Sequence, residues 1–174
     1  MSRGRRSVIV DVTELRSENP ACDSLASEIW KNPELKYKKV IAAKLLTDYL
    51  KKNGHNVIPP YGGLQTAFLG NRLQTSMLPI ASKHPTVAVL CEYDALPEMH
   101  NLIAEAGVGT IAATRAVDIR AVDSDLQGRV RDERIAKPEI VGSPAEEGGG
   151  GKFRLLHAGA FKDVHFAMRV IHHP

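Results

Sequence analysis

Apolar residues recur at helical spacing in two segments of the first third of the chain. Leu25 and Ile29 share one face of a predicted first helix, which ends before Pro33 because proline disfavours helical geometry in the residue before it. A second helix is predicted over residues 37–53, where Gly54 supplies the stop. Its apolar positions are Val40, Ile41, Ala43, Leu45, Leu46 and Leu50.

Short apolar runs rich in β-branched residues predict strands further along. Residues 86–91 form an uninterrupted run of this kind, which is typical of a strand covered on both faces. Shorter strands are predicted at residues 55–58, 66–69, 139–142 and 164–171.

Helices and strands alternate in the second half of the chain. Asn101 can cap a helix that runs to about Val117, and another helix is predicted over residues 152–158. The loop between the strand at 86–91 and Asn101 holds polar residues. The alternation predicts an α/β domain, a sheet flanked by helices, in which ligands bind at the carboxyl ends of strands.

One segment does not fit this alternation. Residues 118–137 are rich in charge and show no apolar face, so we interpret the region around 118–138 as a charged insertion. The predicted organisation is an N-terminal tail over residues 1–18 and a single domain over residues 19–174. A chain of 174 residues with 43% hydrophobic residues suffices for one such domain.

Charge and composition argue against nucleic acid and membrane as partners. The net charge is +3, and the basic cluster of Arg3, Arg5 and Arg6 has no interleaved aromatic residue, which favours a solvated tail. No apolar run approaches the ~20 residues that span a bilayer. Cys22 and Cys91 form neither a disulfide framework nor a CxxC pair, so a reducing, cytoplasmic location is expected.

Two adjacent carboxylates are the first candidates for chemistry. Glu146 and Glu147 follow a predicted strand and precede four glycines. Neighbouring side chains of extended backbone point to opposite sides, so the two would divide their roles. One can ligate a metal ion while the other takes a proton from water that the metal activates. The simpler interpretation is a solvated acidic turn before a flexible linker.

Other kinds of site agree less well with the residues. A phosphate-binding loop of the form GxxxxGK[ST] needs glycine at position 146 and Ser or Thr at position 153, where the chain has Glu146 and Phe153. No GxSxG elbow is present. Cys91 ends an apolar strand and is interpreted as a buried small hydrophobe.

Histidines supply the remaining candidate ligands. His100 lies at the start of a predicted helix, and His172 and His173 follow the last predicted strand. Neighbouring strands could bring these residues and the glutamate pair to one edge of the sheet. A set of imidazoles and carboxylates suits zinc, or less specifically manganese.

Five motifs in order along the chain resemble the zinc-exopeptidase amidohydrolases. They are IWKNPEL at 29–35, YGGLQTA at 61–67, EYDALP at 92–97, HNLIA at 100–104 and SPAEEGGGGK at 143–152. The branch that they resemble contains aminobenzoyl-glutamate hydrolases and the dipeptidases called peptidase domain-containing protein 2. The resemblance covers roughly residues 20–117 and 139–174.

The resemblance implies a fold, a reaction and a set of site residues. It implies an α/β catalytic domain, interrupted in complete members by a lid domain that often mediates dimerisation, and hydrolysis of an amide bond in a dipeptide or an N-acyl amino acid. Glu146 matches the general base and Glu147 a metal ligand. His100 matches a second ligand. A histidine before a proline matches a third, which favours His173 and leaves His172 open.

Three departures from the family pattern bear on activity. The family carries a GHACGHN-like stretch where this chain reads PEMHN at 97–101, so the cysteine is missing and Glu98 stands in its place. Charges over residues 131–137 split the strand before the glutamate pair, and charges within a central strand are costly unless they loop out. The sequence ends at Pro174, before the lid domain would begin, so a truncated, alternatively spliced or mispredicted product is expected.

Two functions from different classes follow from these residues. The first is a metal-dependent amidohydrolase or dipeptidase, impaired in this chain, with a dipeptide or N-acyl amino acid as its small-molecule partner and zinc or manganese as its cofactor. The second is a non-catalytic remnant that binds a partner or a full-length homologue through an exposed sheet edge. Self-association into a homo-oligomer is compatible with either.

Overall fold

The computed structural model describes residues 20–71, 85–93 and 137–169. The predicted tail, the helix after Asn101, most of the charged insertion and the candidates His100, His172 and His173 lie outside these ranges. Within them, no helix is long and apolar enough to cross a membrane.

Two helices open the described chain, α1 (Pro20–Lys31) and α2 (Val40–Lys52). Helix α1 agrees with its prediction. Helix α2 begins three residues later than predicted because Lys36 takes a positive φ of 48° and starts a turn. The Glu34 carboxylate then accepts hydrogen bonds from the backbone N–H groups of Ile41 at 3.0 Å and Ala42 at 2.9 Å, which satisfies unpaired donors in the first turn.

Five strands form one mixed sheet. They are β1 (Asn56–Ile58), β2 (Phe68–Asn71), β3 (Thr86–Glu92), β4 (Lys137–Ser143) and β5 (Phe166–Arg169), in the spatial order β1-β2-β4-β3-β5. Strand β3 runs parallel to both of its neighbours, β4 and β5, whereas β1 and β2 are antiparallel additions. The predicted α/β fold with a sheet flanked by helices is confirmed.

Two strand boundaries differ from prediction for reasons of pairing. Strand β2 begins at Phe68 because the preceding residues close a turn, in which the Tyr61 N–H donates to the Ala67 carbonyl at 3.1 Å. Strand β4 begins at Lys137, two residues early, because Lys137 pairs in parallel register with Thr86. The last two residues of the predicted insertion are therefore part of the sheet.

The residues after β4 are helical, not extended. Two short helices, α3 (Glu146–Gly149) and α4 (Gly151–His157), are separated by Gly150. Ala145 and Gly150 both lie in the left-handed region, with φ of 57° and 62°. The extended backbone assumed for the glutamate pair was wrong, as was the flexible linker of the simpler interpretation, because these two residues turn the chain sharply and let helix form between them.

The sheet is covered on both faces. Side chains of a strand alternate between faces, and the buried residues fall into two clusters accordingly. Ile140 and Phe68 belong to the cluster beneath α1 and α2. Val141 and Leu69 belong to the cluster on the opposite face, which includes Leu155 of α4. Strand β3 is buried along most of its length, as its apolar run predicts.

Candidate active site

The carboxyl ends of three parallel strands meet at one edge of the sheet. Glu92 is the last residue of β3 and is paired in register with Ser143, the last residue of β4. Arg169 ends β5 and is paired with Leu90. Glu146 follows β4 after a turn of two residues. The expected convergence of strand ends is confirmed for these elements.

A tight turn aims Glu146 at that edge. The turn is closed by a hydrogen bond from the Gly151 N–H to the Ala145 carbonyl at 3.2 Å. A Cβ on Gly151 would lie 1.7 Å from the carbonyl oxygen of Pro144. Only glycine permits this approach of the two backbone segments, so the glycine run of the sequence has a local structural role.

The loop between α1 and α2 holds the short helices in place. The Tyr37 hydroxyl donates a hydrogen bond to the Gly149 carbonyl. The Arg154 guanidinium lies 5.1 Å from the centre of the Tyr37 ring, within the range of a cation–π interaction. Thr66 in turn donates to the Tyr37 carbonyl at 3.4 Å. Helices α3 and α4 are therefore anchored from one side by a single aromatic residue.

Four charged side chains meet at the edge, and we call Glu92, Glu146, Lys152 and Arg169 the edge cluster. Lys152 Nζ donates to Glu146 Oε1 at 2.7 Å and also to Glu92 Oε1. Arg169 Nη1 donates to Glu92 Oε1 at 3.2 Å and also to Glu146 Oε1. Each cation therefore contacts both carboxylates.

Burial within the edge cluster is graded. The Glu92 side chain is 3% exposed and that of Glu146 is 15% exposed, whereas Lys152 and Arg169 are 30% and 37% exposed. A carboxylate as deeply buried as that of Glu92 is tolerated when it is paired and hydrogen-bonded. The two cations provide those pairings and close the cluster on its solvent side.

The edge cluster keeps Glu146 ionised. Burial raises the pKa of the Glu146 carboxyl, but hydrogen bonds from Lys152 and Arg169 outweigh burial and bring that pKa below its ordinary value of 4.5. Hydrogen bonds to Glu146 first and to Glu92 second raise the pKa of Arg169. Both bonds to Glu146 engage Oε1. Within the described ranges, Oε2 is left to accept a proton.

The described edge does not by itself fit a divalent cation. Over residues 20–71, 85–93 and 137–169, no group of three or more His, Cys, Asp or Glu side chains could hold a metal ion. The facing carboxylates Glu92 and Glu146 are already neutralised by two internal cations. The ligands predicted from the sequence, His100, His173 and Glu147, have side chains outside the described part.

Sequence reasoning missed three members of the edge cluster. Lys152 entered only as an argument against a phosphate-binding loop, and Glu92 only as part of a motif. Arg169 was not considered. The available signal was the position of a charged residue at the end of each of two apolar strands, Glu92 and Arg169, where parallel pairing brings strand ends together.

Two curated proteins are similar to the chain over most of its length. Human Xaa-Arg dipeptidase is 36% identical over 151 residues, covering 81% of this chain and 33% of that protein. A p-aminobenzoyl-glutamate hydrolase of Escherichia coli K12 is 27% identical over 166 residues, covering 83% of this chain and 31% of that protein. The chain thus spans about a third of the length of the relatives that it matches. No protein-family model matches it.

Solved structures share the fold. A dinuclear metal-binding peptidase of the M20 family from Bacillus subtilis superimposes with a TM-score of 0.60 at 16% sequence identity. The match covers 91% of this chain and 45% of that one. At this level of identity the likeness concerns the fold, and it agrees with a sheet flanked by helices.

Proposed function

Because the chain belongs to the zinc-exopeptidase amidohydrolases, we propose that it is a metal-dependent hydrolase of the amide bond in a dipeptide or an N-acyl amino acid. The observation that supports this most is the position of Glu146. It lies at the carboxyl edge of parallel strands, where ligands bind in open α/β sheets, and it is held ionised with Oε2 uncommitted within the described part. Ionisation and an available oxygen are what a general base requires.

Glu146 is proposed to move one proton twice. Its Oε2 takes a proton from the water whose oxygen attacks the amide carbonyl carbon. When the C–N bond breaks, the same carboxyl gives that proton to the departing nitrogen. The carboxylate is regenerated, one water is consumed, and the products are a carboxylic acid and an amine. Lys152 and Arg169 fix Oε1 throughout, so the reacting oxygen keeps one orientation.

The metal is proposed to be held by His100, Glu147 and His173, with His172 as the alternative to His173. Imidazole and carboxylate donors fit zinc, and manganese less specifically. A bound cation supplies polarisation of water and of the amide carbonyl, which matters here because a carboxylate with a lowered pKa is a weak base toward ordinary water. Lys152 and Arg169 would remain with the other carboxylate pair.

A non-catalytic remnant is the second candidate. Among the described strands, β5 has a neighbour on one side only, and its Phe166 and Met168 are 60% and 48% exposed. An apolar strand with an unpaired edge is suited to pairing with another chain. Such a remnant would bind a partner or a full-length homologue on that edge, with no need for metal.

Metal content separates the two candidates. We expect the purified protein to retain zinc or manganese near stoichiometry after dialysis, and Glu147→Ala and His100→Ala each to lose it. Asp48→Asn, which removes an exposed lysine-paired carboxylate of α2, should retain it. A wild-type protein that holds no metal, yet is folded by circular dichroism, would contradict the hydrolase and favour the remnant.

A further inference from the structure

The edge cluster is balanced in charge without any metal. Two carboxylates, Glu92 and Glu146, face two cations, and every contact within the set joins opposite charges. The Oε1 atoms of both glutamates each accept from both Lys152 and Arg169. The oxygens that could bridge a divalent cation are thus occupied by side-chain nitrogens.

We propose that Lys152 and Arg169 are positioning residues that exclude divalent metal from the Glu92–Glu146 pair, so that Glu146 acts as a base and not as a ligand. The catalytic role of Glu146 rests on the proposed function. The exclusion of metal from the carboxylate pair is independent of it. This exclusion distinguishes Glu146 from Glu147, its neighbour in sequence.

Charge neutralisation is the physical basis of the exclusion. A carboxylate 3% exposed needs compensating charge, and its near neighbour Glu146 adds repulsion unless both are neutralised. Either one divalent cation or two monovalent side chains can supply the two positive charges. The chain already carries the second solution, with charge-assisted hydrogen bonds that are about twice as strong as neutral ones. A metal would have to break these bonds to enter.

The two cations reach the pair from separate elements. Lys152 lies in the first turn of α4, six residues after Glu146, whereas Arg169 ends β5. Arginine stays charged in proteins, and both hydrogen-bonded carboxylates raise the pKa of Arg169 further. Loss of one cation therefore leaves the other in place, and full access for a metal requires removal of both.

Manganese binding to designed variants tests the exclusion. Titration calorimetry with Mn²⁺ is expected to find one more binding equivalent in Lys152→Met/Arg169→Met than in wild type. Addition of Glu146→Gln to that double variant should remove the extra equivalent. In the wild-type background, Glu146→Gln should leave the number of bound metal ions unchanged. Lys44→Met removes a cation from an exposed ion pair on α2 and should gain no site.

Two results would overturn the inference: a folded double variant that gains no Mn²⁺ equivalent, or a wild-type protein that loses metal on Glu146→Gln. If the double variant does not fold, Lys152→Met alone decides. Mn²⁺ is expected to raise the melting temperature of that variant more than that of wild type, and an equal shift counts against exclusion. A wild type that binds no metal but gains a site in the variant would contradict the hydrolase and support the exclusion.

Discussion

Gly151→Ala is expected to lower the free energy of unfolding by about 3 kcal/mol, at the upper end of the usual cost of overpacking. The added Cβ would lie 1.7 Å from the Pro144 carbonyl oxygen and 3.0 Å from its carbonyl carbon. These are backbone atoms, so no side-chain rotation relieves the overlap. The turn must open instead, which breaks the bond from the Gly151 N–H to the Ala145 carbonyl and displaces Glu146.

Urea unfolding followed by circular dichroism measures this effect. Gly159→Ala is the matched control, because its φ is 79° but no atom lies within 4 Å of its added Cβ. It carries only the strain of a left-handed residue, about 1–2 kcal/mol. A loss in Gly151→Ala no greater than in the control would show that the turn adapts, and that this glycine does not determine the position of Glu146.

The contact between Phe68 and Gly142 predicts the second large effect. Phe68 is fully buried and stacks on Tyr93, with ring centres 5.9 Å apart. A Cβ on Gly142 would lie 2.2 Å from the Phe68 ring. Phe68→Ala should cost about 3–5 kcal/mol through the cavity that it leaves. Gly142→Ala should cost about 1–3 kcal/mol, because the ring has no room to move in a packed core.

The double variant reveals the cause. In Phe68→Ala/Gly142→Ala the ring is absent, so the methyl group at position 142 enters empty space. We expect its loss of stability to be smaller than the sum of the two single losses, since the effects of residues in contact do not add. Unfolding curves of the four proteins measure the coupling. Additive losses would mean that Gly142 is sensitive for a reason other than the Phe68 ring.

Local patterns predicted the parts of the fold that local physics determines. The apolar run at 86–91 became β3 with one added residue, and helix α1 matched because Pro33 ends the pattern. The start of α2 was wrong because Glu34 caps it from outside the helix, a contact that periodicity does not contain. Strand β4 was predicted too short, since its first residue, Lys137, is held by pairing with a distant strand.

The site could be predicted only in part for the same reason. Glu146 follows a strand and belongs to a motif, so sequence reasoning found it. Its partners Lys152 and Arg169 are separated from Glu92 by 60 and 77 positions, and they meet it only because β3, β4 and β5 are parallel neighbours. The predicted roles of His100, Glu147 and His173 stay predictions, since their side chains lie outside the described ranges.

Hydrolysis of dipeptides and N-acyl amino acids by wild type and Glu146→Gln, with Zn²⁺ or Mn²⁺ supplied, tests the role of Glu146 most directly. We predict measurable release of amine by wild type, a fall in kcat of about 10²–10⁴-fold in Glu146→Gln, and no such fall in the control Asp48→Asn. Equal rates in wild type and Glu146→Gln, or no hydrolysis by a wild type that is folded and metal-loaded, would contradict the assignment of Glu146 as the general base.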